Sequence, residues 1–218
     1  MHHRRDFLKL GAGFFAFMGG LFDPLFSMVR RVYAEVQKTI LPPDTKRESL
    51  IYQDPKSLDT RNFRVTPLND FGTMGTTDYK VNLNEWRLEI AGGVAKPLRL
   101  TYQEIRALPS IEKYVLLICP GFFANHGKWK GVSMKGLLEK AGVEKGMTHI
   151  TFTGPNGSSG KVEKFPIEDI LQNKVFLAYE VNGQALPQKH GFPLRVVAEG
   201  YYGDDWVKYV YRMAVGKG

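Results

Sequence analysis

In "NEWRLEI" the apolar residues Trp86, Leu88 and Ile90 alternate with polar ones up to the Gly92-Gly93 turn, and this period of two predicts a half-buried strand. The period then changes. In "TYQEIRALPS", Thr101 and Glu104 have the spacing of a capping box, which predicts a short helix. "EKYVLLIC" is a continuous apolar run, suited to a strand buried on both faces, and it ends at Cys119. After "WKGV", Ser133 stands as N-cap of a second helix with Met134, Leu137, Leu138 and Ala141 on one face and Gly142 as its stop. The rest reads as strand "THITFTG", loop "PNGSSG", short helix "PIEDILQ", strand "VFLAYEVNG" and two closing strands, "PLRVVAE" and "WVKYVYRMAV". Many strands and few, short helices predict an α+β domain with a mixed β-sheet core.

Before residue 62 no such pattern is sustained. Residues 35–61 are polar and broken by Pro42-Pro43 and Asp54-Pro55, which predicts a linker, either a tether or an arm lying on the surface. Residues 1–34 have the layout of an export signal: a basic start, an apolar stretch from Phe7 to Phe22, and small residues near Ala34. Arg4-Arg5 followed by Asp6-Phe7-Leu8-Lys9 resembles the twin-arginine signal, which implies a periplasmic protein exported after folding. The apolar stretch approaches the roughly 20 residues that span a bilayer, so an inner-membrane anchor is the other reading of the same segment. Residues 62–218 remain as the working domain.

Composition adds boundaries. The chain has 218 residues, 43% hydrophobic and 24% charged, enough to bury a sizeable core. Of its net charge of +8, residues 1–34 supply +3 from five basic and two acidic side chains, which leaves +5 on the remainder. No Lys/Arg block or aromatic RNA-binding signature accompanies that surplus, so we expect no nucleic-acid partner; an acidic redox protein or a membrane surface suits it better. One cysteine cannot form an internal bridge. Cys119 is therefore either an inert buried thiol or a working one.

From Trp86 to Val215 the chain resembles the sulfite oxidase family of molybdenum enzymes, whose fold binds one molybdopterin. The pattern is densest between Leu177 and Val215: Asn182-Gly183, Leu186-Pro187, His190 to Arg195, Gly203 and Val207-Lys208. The resemblance implies that Cys119, followed by Trp129, Gly131 and Val132, is the only protein ligand to molybdenum and the catalytic centre. A soft thiolate suits that metal. It implies further that His190 and Arg195 hold the polar edge and phosphate of the pterin, that Trp206, Val207 and Lys208 contact it, and that Phe71, Gly72 and Thr73 form a loop beneath it. On the residues alone, Arg195 would equally serve as a strand-edge arginine paired with Glu180 or Glu199.

The chain departs from the family at the substrate side. Sulfite-oxidising members carry an arginine at about Met74, and where a further arginine often stands this chain has Asp205 beside Asp204. Carboxylates repel a dianion, so sulfite is a poor substrate. No immunoglobulin-like C-terminal domain is expected, and Tyr201, Tyr202 and His126 are candidates to replace the tyrosine it contributes. In general plan the chain is similar to periplasmic methionine sulfoxide reductase catalytic subunits. The implied function is oxygen-atom transfer with a small-molecule substrate, in exchange with a cytochrome or a membrane quinol-linked redox partner. The alternative is a non-catalytic, membrane-anchored subunit of an envelope complex that retains the fold.

Overall fold

The computed structural model describes residues 38–155 and 161–218; the export-signal and anchor readings of residues 1–34 lie outside them. Ten strands and three short helices make up the body: β1 (Leu88–Gly92), β2 (Leu98–Leu100), α1 (Tyr102–Arg106), β3 (Ser110–Cys119), β4 (Phe123–Val132), α2 (Met134–Ala141), β5 (His149–Thr153), β6 (Val162–Pro166), α3 (Ile167–Leu171), β7 (Val175–Val181), β8 (Gln184–Ala185), β9 (Arg195–Ala198) and β10 (Arg212–Gly216). They form two five-stranded sheets. One runs β8-β7-β4-β3 with β9 also paired to β7; the other runs β2-β1-β10-β5-β6. β10 is parallel to β1 and the remaining pairs are antiparallel. This is the α+β, sulfite-oxidase-type architecture, a mixed sheet core with few helices.

Local chemistry accounts for the helices. In α1 the Thr101 hydroxyl accepts the Glu104 N–H and the Glu104 carboxylate accepts the Thr101 N–H at 2.8 Å, the reciprocal capping box. Met134, Leu137, Leu138 and Ala141 are all buried on one face of α2. That helix ends at Gly142, whose φ of +67° suits a residue without Cβ. Ser133 occupies the N-cap position of α2, but its side chain makes no capping bond.

Two strands had no sequence assignment, and one expected strand is corrected. "FANHGKWKGV" is a ten-residue strand, β4, paired along its whole length with β3 from Ser110 opposite Val132 to Cys119 opposite Phe123. Its Asn125 and His126 are buried polar residues held by side contacts, which is why alternation does not reveal the strand. β6 is a second strand hidden behind the polar run "KVEK". The closing strand begins only at Arg212, because Tyr209 takes a φ of +58° that no strand tolerates, so residues 206–211 run as irregular backbone.

The β3–β4 hairpin has two buried faces. Val115, Leu117 and Cys119 point into the main core, where Trp129, Phe152, Phe165 and Phe176 are fully buried. Leu116, Ile118 and Ala124 point the other way and are covered by Leu41, Leu50, Leu58 and Phe63. Residues 41–63 thus lie against the back of the strand that ends in the thiol.

Candidate active site

Cys119 ends β3, 7% exposed, at the edge of a cavity of about 540 Å³. The turn that follows is closed by Phe122 N–H donating to the Cys119 carbonyl at 3.0 Å, with Gly121 at φ +77°. Of the two phenylalanines next in the chain, Phe123 lines the cavity, while Phe122 is 69% exposed and forms no part of its wall. Burial pushes the thiol pKa up, Asp204 adds to the rise and Lys161 opposes it. The Met74 thioether approaches Cys119 Sγ at 3.7 Å.

A loop, residues 71–76, roofs the cavity. Asn125 of β4, in register with Leu117 and so facing the same side as Cys119, accepts the Gly72 N–H at 3.1 Å and donates to the Gly72 carbonyl at 3.0 Å. Gly72 needs to be glycine: a Cβ there would sit 2.4 Å from the Phe123 ring. Thr73 Oγ1 donates to the Lys189 carbonyl at 3.1 Å, and Lys208 Nζ donates to the Thr76 carbonyl at 2.5 Å. Phe71 lies behind the loop, 5% exposed, packed on Trp129 and edge-on to His190 at 5.7 Å.

Part of the cavity wall is cationic. Arg195, 5% exposed, holds its guanidinium 5.2 Å from the Trp129 ring and 5.3 Å from the Trp206 ring, and donates to the His190 carbonyl at 3.0 Å. The two acids of the alternative, strand-edge reading are taken by other cations: Glu180 pairs with Arg106 at 2.8 Å, and Glu199 with Lys113 at 2.5 Å. Among the described residues neither Arg195 nor Lys208 forms an ion pair. Burial therefore pushes Arg195 down to about 9, still charged at neutral pH, and Lys208 down to about 8 with Arg195 as the second cause. His190, 2% exposed, is pushed down to about 4 by burial and then by Arg195, Lys189 and Lys208, so its ring is neutral. Its Nε2 is buried without a hydrogen-bond partner.

Of the nine residues inferred from the sequence, Cys119, His190, Arg195, Trp206, Lys208, Gly72 and Thr73 meet around this one cavity. Phe71 supports it from behind. The Val207 side chain is fully buried in the main core and its carbonyl accepts the Val196 N–H at 2.8 Å, so Val207 does not line it. His126, opposite Leu116 on β4, faces the covering segment and stacks on Phe63 at 5.3 Å. Tyr201 donates its hydroxyl to Asp169 at 2.5 Å and Tyr202 packs with the second cluster, so none of these three borders the cavity; Asp204 does. Asn125, Tyr209 and Lys161 were not singled out by sequence reasoning, and Met74 only as the place of a family arginine; of the first three only Asn125 left a signal, its phase with Leu117.

A lone thiol, an unpaired cationic cradle and a buried imidazole nitrogen without a partner, all around one cavity, define a site for a cofactor that carries an anion and presents a soft acceptor to sulfur. The family described as oxidoreductase molybdopterin binding domain matches residues 74–218, and the chain belongs to it. Among its relatives, the "Uncharacterized oxidoreductase YuiH" of Bacillus subtilis (strain 168) is 30% identical over 129 residues, which covers 59% of this chain and 64% of that protein. "Nitrate reductase [NADH] 1" of Arabidopsis thaliana is 30% identical over 167 residues, 62% of this chain but 18% of that one. The crystal structure of the sulfane dehydrogenase SoxCD from Paracoccus pantotrophus superposes with a TM-score of 0.60 at 27% identity, over 64% of this chain and 40% of that one. The chain thus spans less than two thirds of each relative.

Proposed function

We propose that the chain binds one molybdenum-molybdopterin with Cys119 as the sole protein ligand to the metal, and exchanges an oxygen atom with a small substrate. The observation that carries this reading is the cavity itself: one thiol, the unpaired Arg195 and Lys208 and the orphaned His190 Nε2 all belong to its wall. Those residues fit the group. Arg195 and Lys208 are suited to its phosphate, His190 Nε2 to its polar edge, and Trp206 with Gly72 and Thr73 to its flanks. The bound group supplies two-electron redox chemistry at the metal. The chain's own residues orient it and exclude water through the Asn125-pinned roof; coordination would favour the thiolate, against the rise that burial and Asp204 impose on the thiol pKa.

With one cysteine the chain has no Cys-x-x-Cys-His haem motif and no cysteine set for an iron–sulfur cluster, so the electrons come from or go to a cytochrome or a membrane quinol-linked partner. Arg4-Arg5 and the apolar stretch after them support a periplasmic protein exported by the twin-arginine route, with or without retention in the inner membrane. Molybdenum and pterin content of the protein purified from the periplasm tests the reading. One molybdenum per chain is expected, reduced to none in Cys119→Ser with the fold intact. A metal-free native protein would instead identify a non-catalytic subunit.

A further inference from the structure

The cavity wall carries two sets of charged groups. Arg195 and Lys208 line it with neutral His190, while Cys119 has Leu117, Phe123 and Met74 beside it, with Asp204 and Lys161 as the charges that act on the thiol. Asp204 is placed there by contact of its own neighbour with the strand: Gly203 approaches so closely that a Cβ would stand 2.9 Å from Leu117 Cδ2 and 3.2 Å from the Ile118 carbonyl. Lys161 does not neutralise this wall, because its ammonium lies 3.5 Å from Glu163. Asp205 follows Asp204 in the same turn, and its carboxyl is pushed up by burial, then by Asp204 and Glu163, the mark of carboxylates crowded together. Of the two charged groups that act on the thiol, then, Lys161 shares its charge with Glu163, while Asp204 forms no ion pair among the described residues.

We infer that Asp204 determines substrate specificity, admitting neutral or cationic molecules to the open side of Cys119 and turning oxyanions away. The inference rests on the active-site reading above and adds the substrate's charge class to it. An anion entering past Asp204 meets repulsion where the apolar wall thins the solvent, whereas a cation is drawn in. The positive charge of Arg195 and Lys208 serves the cofactor's own anion, so a substrate does not profit from it once the cofactor is in place.

Cys119 is the only cysteine, so it reports the field at its own position. In the full-length chain prepared without cofactor, its rate of labelling is measured with two methanethiosulfonates of similar size, one bearing a trimethylammonium and one a sulfonate. Both react with the thiolate, so the ratio of the two rates cancels any change in thiol pKa. Asp204→Asn is expected to lower the cation-to-anion ratio by about threefold to tenfold, and Lys161→Gln to raise it. Glu139→Gln on α2, where the Glu139 side chain is 66% exposed, is expected to leave it unchanged. A ratio that stays within about twofold in Asp204→Asn, or that Glu139→Gln moves equally, overturns the inference. No metal is needed for this measurement, so its failure is separate from a failure to find molybdenum.

Discussion

Replacing Arg195 with methionine keeps an unbranched stem between Trp129 and Trp206 and removes the charge. Ordinarily, breaking a buried ion pair by deleting one partner costs about 3–5 kcal/mol. Here the guanidinium has no counter-charge, and burial lowers its pKa from 12.5 to about 9. At about 1.4 kcal/mol per unit, that is a ceiling of about 5 kcal/mol for keeping the charge buried. Against it stand two cation–π contacts, at 5.2 and 5.3 Å, and two hydrogen bonds, to the His190 carbonyl at 3.0 Å and a longer one to the Val196 carbonyl at 3.4 Å, together about 3–5 kcal/mol. The two sides nearly cancel. Urea unfolding of the cofactor-free Arg195→Met protein should therefore give a stability within about 2 kcal/mol of wild type. The functional loss should appear only when an anion is offered. Pyrophosphate at a hundred times its Kd should stabilise wild type by about 2.7 kcal/mol and leave the variant unmoved. A loss above about 3 kcal/mol without ligand, or equal stabilisation of both proteins by pyrophosphate, would refute the idea that this arginine waits for an anion.

Three further outcomes follow from the same geometry. His190 has a folded pKa of about 4 against 6.5 when unfolded, so between these values the unfolded chain binds more protons; stability should fall by up to about 3 kcal/mol as pH drops from 6.5 to 4, and a His190→Gln variant should lose that part of the slope. His126 is also lowered by burial, so the difference between the two urea-midpoint profiles is the quantity to compare. Asn125→Ala strands the Gly72 N–H and carbonyl and should cost about 2–3 kcal/mol in urea unfolding while reducing the molybdenum retained after purification. Gly131→Ala would put a Cβ 2.1 Å from the Leu177 carbonyl at the β4–β7 irregularity, and a thermal melt should show a loss of about 3 kcal/mol or failure to fold.

The elements legible in the sequence are those whose own residues decide them. The capping box of α1, the apolar face and glycine stop of α2, and the two-faced apolar run of β3 all appear where pattern places them. β4 was not legible, because its buried Asn125 and His126 take their partners from residues some 50 to 60 positions away, Gly72, Thr66 and Arg64. The irregular run through Tyr209 was hidden for a similar reason: its left-handed turn aims the Tyr209 hydroxyl at the Thr76 carbonyl, 133 positions away, and no local signal announces it. At the site, resemblance named the thiol and the cations, and the structure shows the charge they lack. Pairing of Arg195 with Glu180 or Glu199 was reasonable by proximity in sequence. It is excluded because Arg106 and Lys113 reach those acids first.

Composition marks residue 62 as a natural place to cut, since everything before it looks like spacer. The covering of Leu116, Ile118 and Ala124 by Leu41, Leu50, Leu58 and Phe63 makes that cut costly. A fragment starting at residue 62 would keep every cavity-lining side chain and still bare the rear of the strand on which the thiol rides. It would be sticky, prone to self-association through that strip, and slack in the placement of its sulfur. For expression, crystallisation or reconstitution with cofactor, the smallest workable unit begins ahead of Leu41, and the apparent spacer belongs to the catalytic body as its backing plate.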